Sequence, residues 1–132
     1  MSKEAYPDTC SVHLQKMEGS TVIDIAGEID MASAPLIAKA LDKAVHEEGA
    51  DVVLNARELF YIDSSGIQIL VSAGRKLSDE GRRLFVVGCH GIFYKLVQLM
   101  RLDREFCLYP DLKDALLALN PDSRPGRECS SG

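Results

Sequence analysis

The sequence predicts an α/β domain: a mainly parallel mixed β-sheet of about five strands flanked by about four helices. Three observations lead there. The apolar residues switch repeatedly between a strand-like and a helix-like period along the chain. Two segments, Asp51-Val52-Val53-Leu54 and Leu84-Phe85-Val86-Val87, are nearly continuous apolar runs, as expected of strands covered on both faces. The chain has 132 residues, which suits one domain with one core.

The elements follow in order. Val12 and Leu14 alternate with His13 and Gln15, the pattern of a strand with one wet face. Thr21-Val22-Ile23-Asp24-Ile25-Ala26 is a second strand, and Gly19-Ser20 suits a hairpin turn between the two. Ser33 can cap a first helix, with Pro35 tolerated in a turn whose N–H groups lack intrahelical partners. Ile37, Ala40, Leu41 and Ala44 form its apolar stripe, and Gly49 stops it. After the strand at 51–54, Phe60-Tyr61-Ile62 leads into Asp63-Ser64-Ser65-Gly66, where a helix begins and runs to about Glu80, ending at Gly81. The strand at 84–87 precedes a third amphipathic helix carrying Ile92, Phe93, Leu96, Val97, Leu99 and Met100. Phe106-Cys107-Leu108 is a short edge strand, and Asp111 can cap a last helix with Leu112, Ala115, Leu116 and Leu119 inward. The chain therefore divides into an N-terminal extension (1–11), the domain (12–119) and a C-terminal tail (120–132) expected to be disordered.

Composition narrows the function. The chain holds 15 Lys+Arg against 20 Asp+Glu, a formal net charge of −5, which argues against direct nucleic-acid binding. No apolar run approaches the roughly 18 residues of a membrane span, and the N-terminus lacks the apolar stretch of a secretory signal. A cytoplasmic protein without membrane contact is expected. Cys10, Cys89, Cys107 and Cys129 form no C-x-x-C pair and are expected to be buried or incidental thiols. His13, His46 and His90 are dispersed, and Cys89-His90 lacks a second pair to complete four ligands, so no metal or cofactor is assigned.

The sharpest local feature is Ile62-Asp63-Ser64-Ser65-Gly66-Ile67, at a strand-to-helix junction. Helix N-termini present unpaired N–H groups and a partial positive charge. Asp63, Ser64 or Ser65 can cap this helix, and Ser65 with Gln68 has the spacing of a capping box. A capping hydroxyl at an exposed turn is also within reach of a kinase. Rotation by about 100° per residue puts Ile67, Leu70, Val71, Gly74 and Leu77 on the sheet-facing side. Ile69 then falls about 140° from the centre of that face, beside Ser72 and Lys76, on the flank a partner would meet.

These residues carry a resemblance. Asp63-Ser64-Ser65-Gly66-Ile67, preceded by Val52-Val53-Leu54-Asn55 and by Gly27-Glu28-Ile29-Asp30, resembles the STAS domain, specifically the bacterial anti-sigma factor antagonists, over residues 12–119. The resemblance implies a partner switch. The unphosphorylated antagonist binds an anti-sigma factor that is itself a serine kinase, and so frees a sigma factor. The kinase phosphorylates the second serine of the turn, here Ser65, and the antagonist lets go; a serine phosphatase of the PP2C type resets it. Asp30, Asp63, Ser64, Ser65, Gly66 and Ile69 are the expected partner-binding residues. The chain departs from common family patterns at Arg101-Leu102-Asp103, where many relatives have a glycine, and at Gly91, where proline is frequent.

Other classes fit less well. A hydrolase elbow needs G-x-S-x-G, whereas Asp63 and Ile67 flank Ser65 at those positions; an enzyme is not expected. The glycines at Gly27, Gly88 and Gly91 make neither a dinucleotide fingerprint nor a phosphate-binding loop. The alternative within the family is a scaffold or regulatory subunit of a stressosome or lipid-transport complex, with nucleotide binding left open.

Overall fold

The computed structural model describes residues 10–17, 19–46 and 51–119. In chain order they form β1 (Cys10–Met17), β2 (Ser20–Ile29), α1 (Ala34–Val45), β3 (Val52–Ile62), α2 (Ser64–Asp79), β4 (Leu84–Val87), α3 (Gly91–Leu99), a 3-10 turn (Leu102–Arg104), β5 (Cys107–Tyr109) and α4 (Leu112–Leu119). The five strands lie side by side in chain order. β1 runs antiparallel to β2, and every later neighbour is parallel. This is the mixed, mainly parallel sheet that the periodicity predicts. The expected extension contributes Cys10 and Ser11 to β1; its remainder, the tail at 120–132 and the helix stop at Gly49 lie outside the described residues.

Strands added in one direction by right-handed crossovers leave their helices on one face. Accordingly Ile37 and Leu41 of α1, Ile67 and Leu70 of α2, and Phe93 and Val97 of α3 join Ile23, Leu54 and Val86 in one cluster. The alternate residues Val22, Val53, Phe85 and Val87 face the other way and are covered by Ala115 of α4. Covering both faces is why these strands read as continuous apolar runs.

Four expectations need correction. β3 is an 11-residue strand, not the short run at 51–54. Its pairing with β4 stops at Asn55 opposite Val87, while pairing with β2 continues to Ile62 opposite Ile29 through two register shifts. Arg57-Glu58 and Phe60-Tyr61 hide this stretch, because a half-covered, bulged strand loses the alternation that marks it. Asn55 Nδ2 and Gln15 Nε2 each donate to the Asp24 carboxylate at 2.8 Å, tying three strands together at the first shift.

In α3 only Phe93 and Val97 are buried, and Leu99 is 78% exposed. Ser33 precedes α1 but makes no side-chain cap; it lies buried in the preceding turn, bonded to Asp30. Cys10 and Cys89 are free thiols, as expected, whereas Cys107 is disulfide-bonded. Asp111 does cap α4, accepting from Asp114 N at 3.0 Å. Arg101 follows α3 with φ 56° and ψ 43°, the one non-glycine residue at positive φ among those described.

Candidate functional site

Ile29 and Ile62 are paired at the ends of β2 and β3, so Asp30 and Asp63 leave adjacent strands at the same level. Each then organises the turn that follows. Asp63, in extended backbone geometry, is the N-cap of α2: its Oδ1 accepts from Ser65 N at 3.0 Å and Gly66 N at 3.2 Å. The helix therefore starts at Ser64, and the Ser65–Gln68 capping box is not formed, because Ser65 already lies inside the first turn. Asp30 Oδ1 accepts from Ala32 N at 3.0 Å and Ser33 N at 3.1 Å, and Ser33 Oγ accepts from Asp30 N at 3.0 Å. This reciprocal turn delivers the chain into α1 with Asp30 half-buried and Met31 outside it.

Ser64 is exposed and Ser65 half-buried, at the first and second positions of α2. Gly66 is buried beneath them. A Cβ there would stand 2.7 Å from Ile62 Cγ1 and 2.8 Å from Ile29 Cγ2, so the glycine is what lets α2 sit directly on the two strand ends. Its contribution to the turn is close approach rather than a surface side chain.

Ser65 also stands at one end of a groove of about 560 Å³ between α1 and α2, together with Gln68, Ile69 and Ser72. Ile69 is half-buried and rests against the core cluster, while also lining this groove with Lys76. Ile69 lies away from the sheet-facing side of α2, and α1 partly covers it. The structure thus gathers Ser65 and Ile69 along one groove, and Asp30, Asp63 and Ser64 along the strand-end edge.

Three exposed apolar residues on that edge were missed: Met31 (75% exposed), Phe60 (60%) and Tyr61 (41%). Tyr61 is paired with Glu28 on β2, and Phe60 meets the His90 ring edge-on at 5.8 Å. The sequence signal was present in Phe60-Tyr61, two aromatic residues in succession on a strand whose sides alternate, so that one at least must face out.

Burial pushes the Cys89 thiol up to about 12 and raises Cys10 as well. Among the described residues there is no group of three His, Cys, Asp or Glu side chains fit to hold a metal. No described helix is long and apolar enough to cross a membrane.

Fold and turn together define a class: single-sheet α/β domains that present a helix-initiating serine at the carboxyl edge of parallel strands. The chain belongs to the STAS domain family, which it matches over residues 11–115. It is similar to the anti-sigma-F factor antagonist RsfB of Mycobacterium tuberculosis, 28% identical over 110 residues, covering 83% of this chain and 89% of that protein. It is 31% identical to the anti-sigma-B factor antagonist of Bacillus subtilis over 74 residues, 56% of this chain and 67% of that one. The crystal structure of an anti-sigma factor antagonist from Mycobacterium paratuberculosis superimposes with a TM-score of 0.77 at 31% identity, covering 85% of this chain and 95% of that chain.

Proposed function

We propose that this protein is an anti-sigma factor antagonist working in the cytoplasm by partner switching rather than by catalysis. Its unphosphorylated form binds an anti-sigma factor with serine kinase activity, phosphorylation of Ser65 ends that binding, and a PP2C-type phosphatase restores it. The docking face comprises Asp30, Asp63, Ser64, Ser65 and Ile69, with Gly66 holding α2 in place, and extends over the exposed Met31, Phe60 and Tyr61.

One observation carries the reading. Ser65 is presented at the second position of α2 while its own amide and that of Gly66 are already bound by Asp63. Phosphorylation adds about −1.5 to −2 charges and three acceptor oxygens. The helix dipole offsets part of that, about 0.3–1 kcal/mol at an exposed site, but the two nearest amides are occupied and the nearest capping group is a carboxylate. The phosphate therefore turns outward, into the docking face, instead of being absorbed by the fold. Burying it there without an answering cation costs several kcal/mol. A few kcal/mol is about a hundredfold or more in affinity. The similarity to RsfB over most of both chains supports the same assignment.

The test pairs the full chain with anti-sigma factors that carry an ATP-dependent serine kinase domain. Without ATP a complex is expected; with ATP, phosphate maps to Ser65 and the complex dissociates. Ser65→Ala is expected to stay bound in ATP. Dissociation of that variant by ATP to the same extent as the parent would overturn the assignment.

A further inference from the structure

We propose that the cleft at the carboxyl ends of β4 and β5 binds a small, multiply charged organic anion bearing phosphate or carboxylate groups. The cleft, of about 960 Å³, lies between those strand ends, α3 and the 3-10 turn. Its size suits a small molecule. It shares no lining residue with the Ser65 groove. The inference does not rest on the partner switch.

The chemistry comes from Arg57, Arg101 and Arg104, which converge on this cleft from β3 and from the turn after α3. Asp103 is the one acidic side chain among the lining residues, so the cleft is net positive in a chain of net charge −5. Among the described residues none of these three guanidinium groups is in an ion pair, whereas those of Arg75 and Arg82 are. Arginine forks match phosphate and carboxylate oxygens in bidentate fashion. Tyr94 offers a phenol ring to the organic part, whereas the Tyr109 ring is stacked on Phe85 at 5.6 Å.

Two backbone features point the same way. Arg101 sits in the left-handed region, where glycine is the low-strain choice, and the strained residue projects a cation into the cleft. In addition, α3 begins at the cleft with His90 as an N-cap whose ring makes no bond to the helix amides; its Nε2 lies 2.9 Å from the Arg57 carbonyl instead. Its first amides thus add a partial positive charge to the same wall.

The test titrates the full 15N-labelled chain, at low salt, with inorganic pyrophosphate in one arm and tricarballylate in the other. Saturable amide shifts are expected at Arg57, 88–94 and 101–104, half-complete below about 1 mM for at least one probe. The arm that saturates identifies the head group. R101G and R104Q should each weaken binding about tenfold, while K43Q on the outside of α1 leaves it unchanged. R101G should melt no lower than the parent, because glycine relieves the left-handed strain; should R101G nonetheless fail to fold, R104Q carries the comparison. The proposal is overturned if neither probe saturates by about 10 mM, if the shifts lie elsewhere, or if R104Q binds as the parent does.

Discussion

The amide of Asp63 donates to the carbonyl of Ile29 across 3.1 Å, joining the first residue after β3 to the last residue of β2. Asp30, the residue after Ile29, organises the turn into α1, and Asp63 itself caps α2. The two helix entrances are therefore one mechanical unit. A partner that touches both would meet a surface whose geometry is fixed by backbone bonds, and a charge added at Ser65 is expected to alter that surface without a change of fold.

Gly66→Ala decides between two opposing effects. Inside a helix, alanine is favoured over glycine by about 1 kcal/mol. At this position, however, the new Cβ lands 2.7 Å from Ile62 and 2.8 Å from Ile29, both buried strand side chains with no room to retreat. Overpacking of that kind costs about 1–3 kcal/mol, so the steric term wins and the variant is expected to be destabilised. Urea midpoints will show it; an unchanged or higher midpoint would mean that α2 does not rest on the strand ends.

Asp63→Ala removes the acceptor of two first-turn amides, and a loss of about 1 kcal/mol is expected. Asp63→Asn keeps an oxygen in place and should retain most of the stability. The comparison separates the cap from the charge, since asparagine restores only the former. If alanine and asparagine destabilise equally in urea, the carboxylate acts through its charge and not as a cap.

The mainly parallel sheet, its antiparallel first hairpin and the helix start after Ile62 were legible in the sequence because they depend on local signals. Runs such as Leu84-Phe85-Val86-Val87 and the Asp63-Ser64-Ser65-Gly66 start declare themselves within a few residues. The extension of β3 was not legible, because it depends on β2 lending hydrogen bonds beyond the end of β4. The partial burial of Ile69 was not legible either, because a helical wheel knows only its own helix and α1 partly covers that flank. The sequence left the cap open among Asp63, Ser64 and Ser65, and the extended end of β3 decides for Asp63 by fixing which side chain overhangs the amides.

Ser65→Asp and Ser65→Ala should leave folding stability within about 0.5 kcal/mol of the parent, because the side chain is only half-buried and its helix is capped by Asp63. Partner affinity should separate the two: alanine near the parent value and aspartate at least about tenfold weaker. Thermal melts beside a binding titration check both halves. A large drop in melting temperature for aspartate would show that charge at this position disturbs the fold itself.

Phe60→Ser tests the missed edge. Its side chain is 60% exposed and touches the His90 ring, so little core packing is at stake and the stability cost should stay below about 1 kcal/mol. Exposed aromatic anchors at the centre of an interface are worth about 2 kcal/mol or more on truncation. Loss of anti-sigma factor binding with an intact melt is therefore expected, and Met31→Ser should add to it. Full binding by the double variant would confine the docking face to α2 and the Asp30 turn.

Cys89 gives a prediction about reactivity and pH together. Burial holds its thiol up to about 12, against an ordinary value of 9.0. At pH 8 its thiolate fraction is then about a thousandfold below that of a free cysteine, and alkylation of the folded chain should be slowed accordingly. Unfolding in urea should restore the ordinary rate, as peptide mapping after iodoacetamide will show. The same shift sets a sign for stability. Between about pH 9 and 12 the unfolded chain releases this proton while the folded chain keeps it, so the unfolded state binds fewer protons and stability falls as pH rises. Cys89→Ala removes that contribution. Its urea midpoint should decline less than the parent's on going from neutral to alkaline pH, and parallel declines would show that the thiol ionises as readily in the folded chain as in the unfolded one.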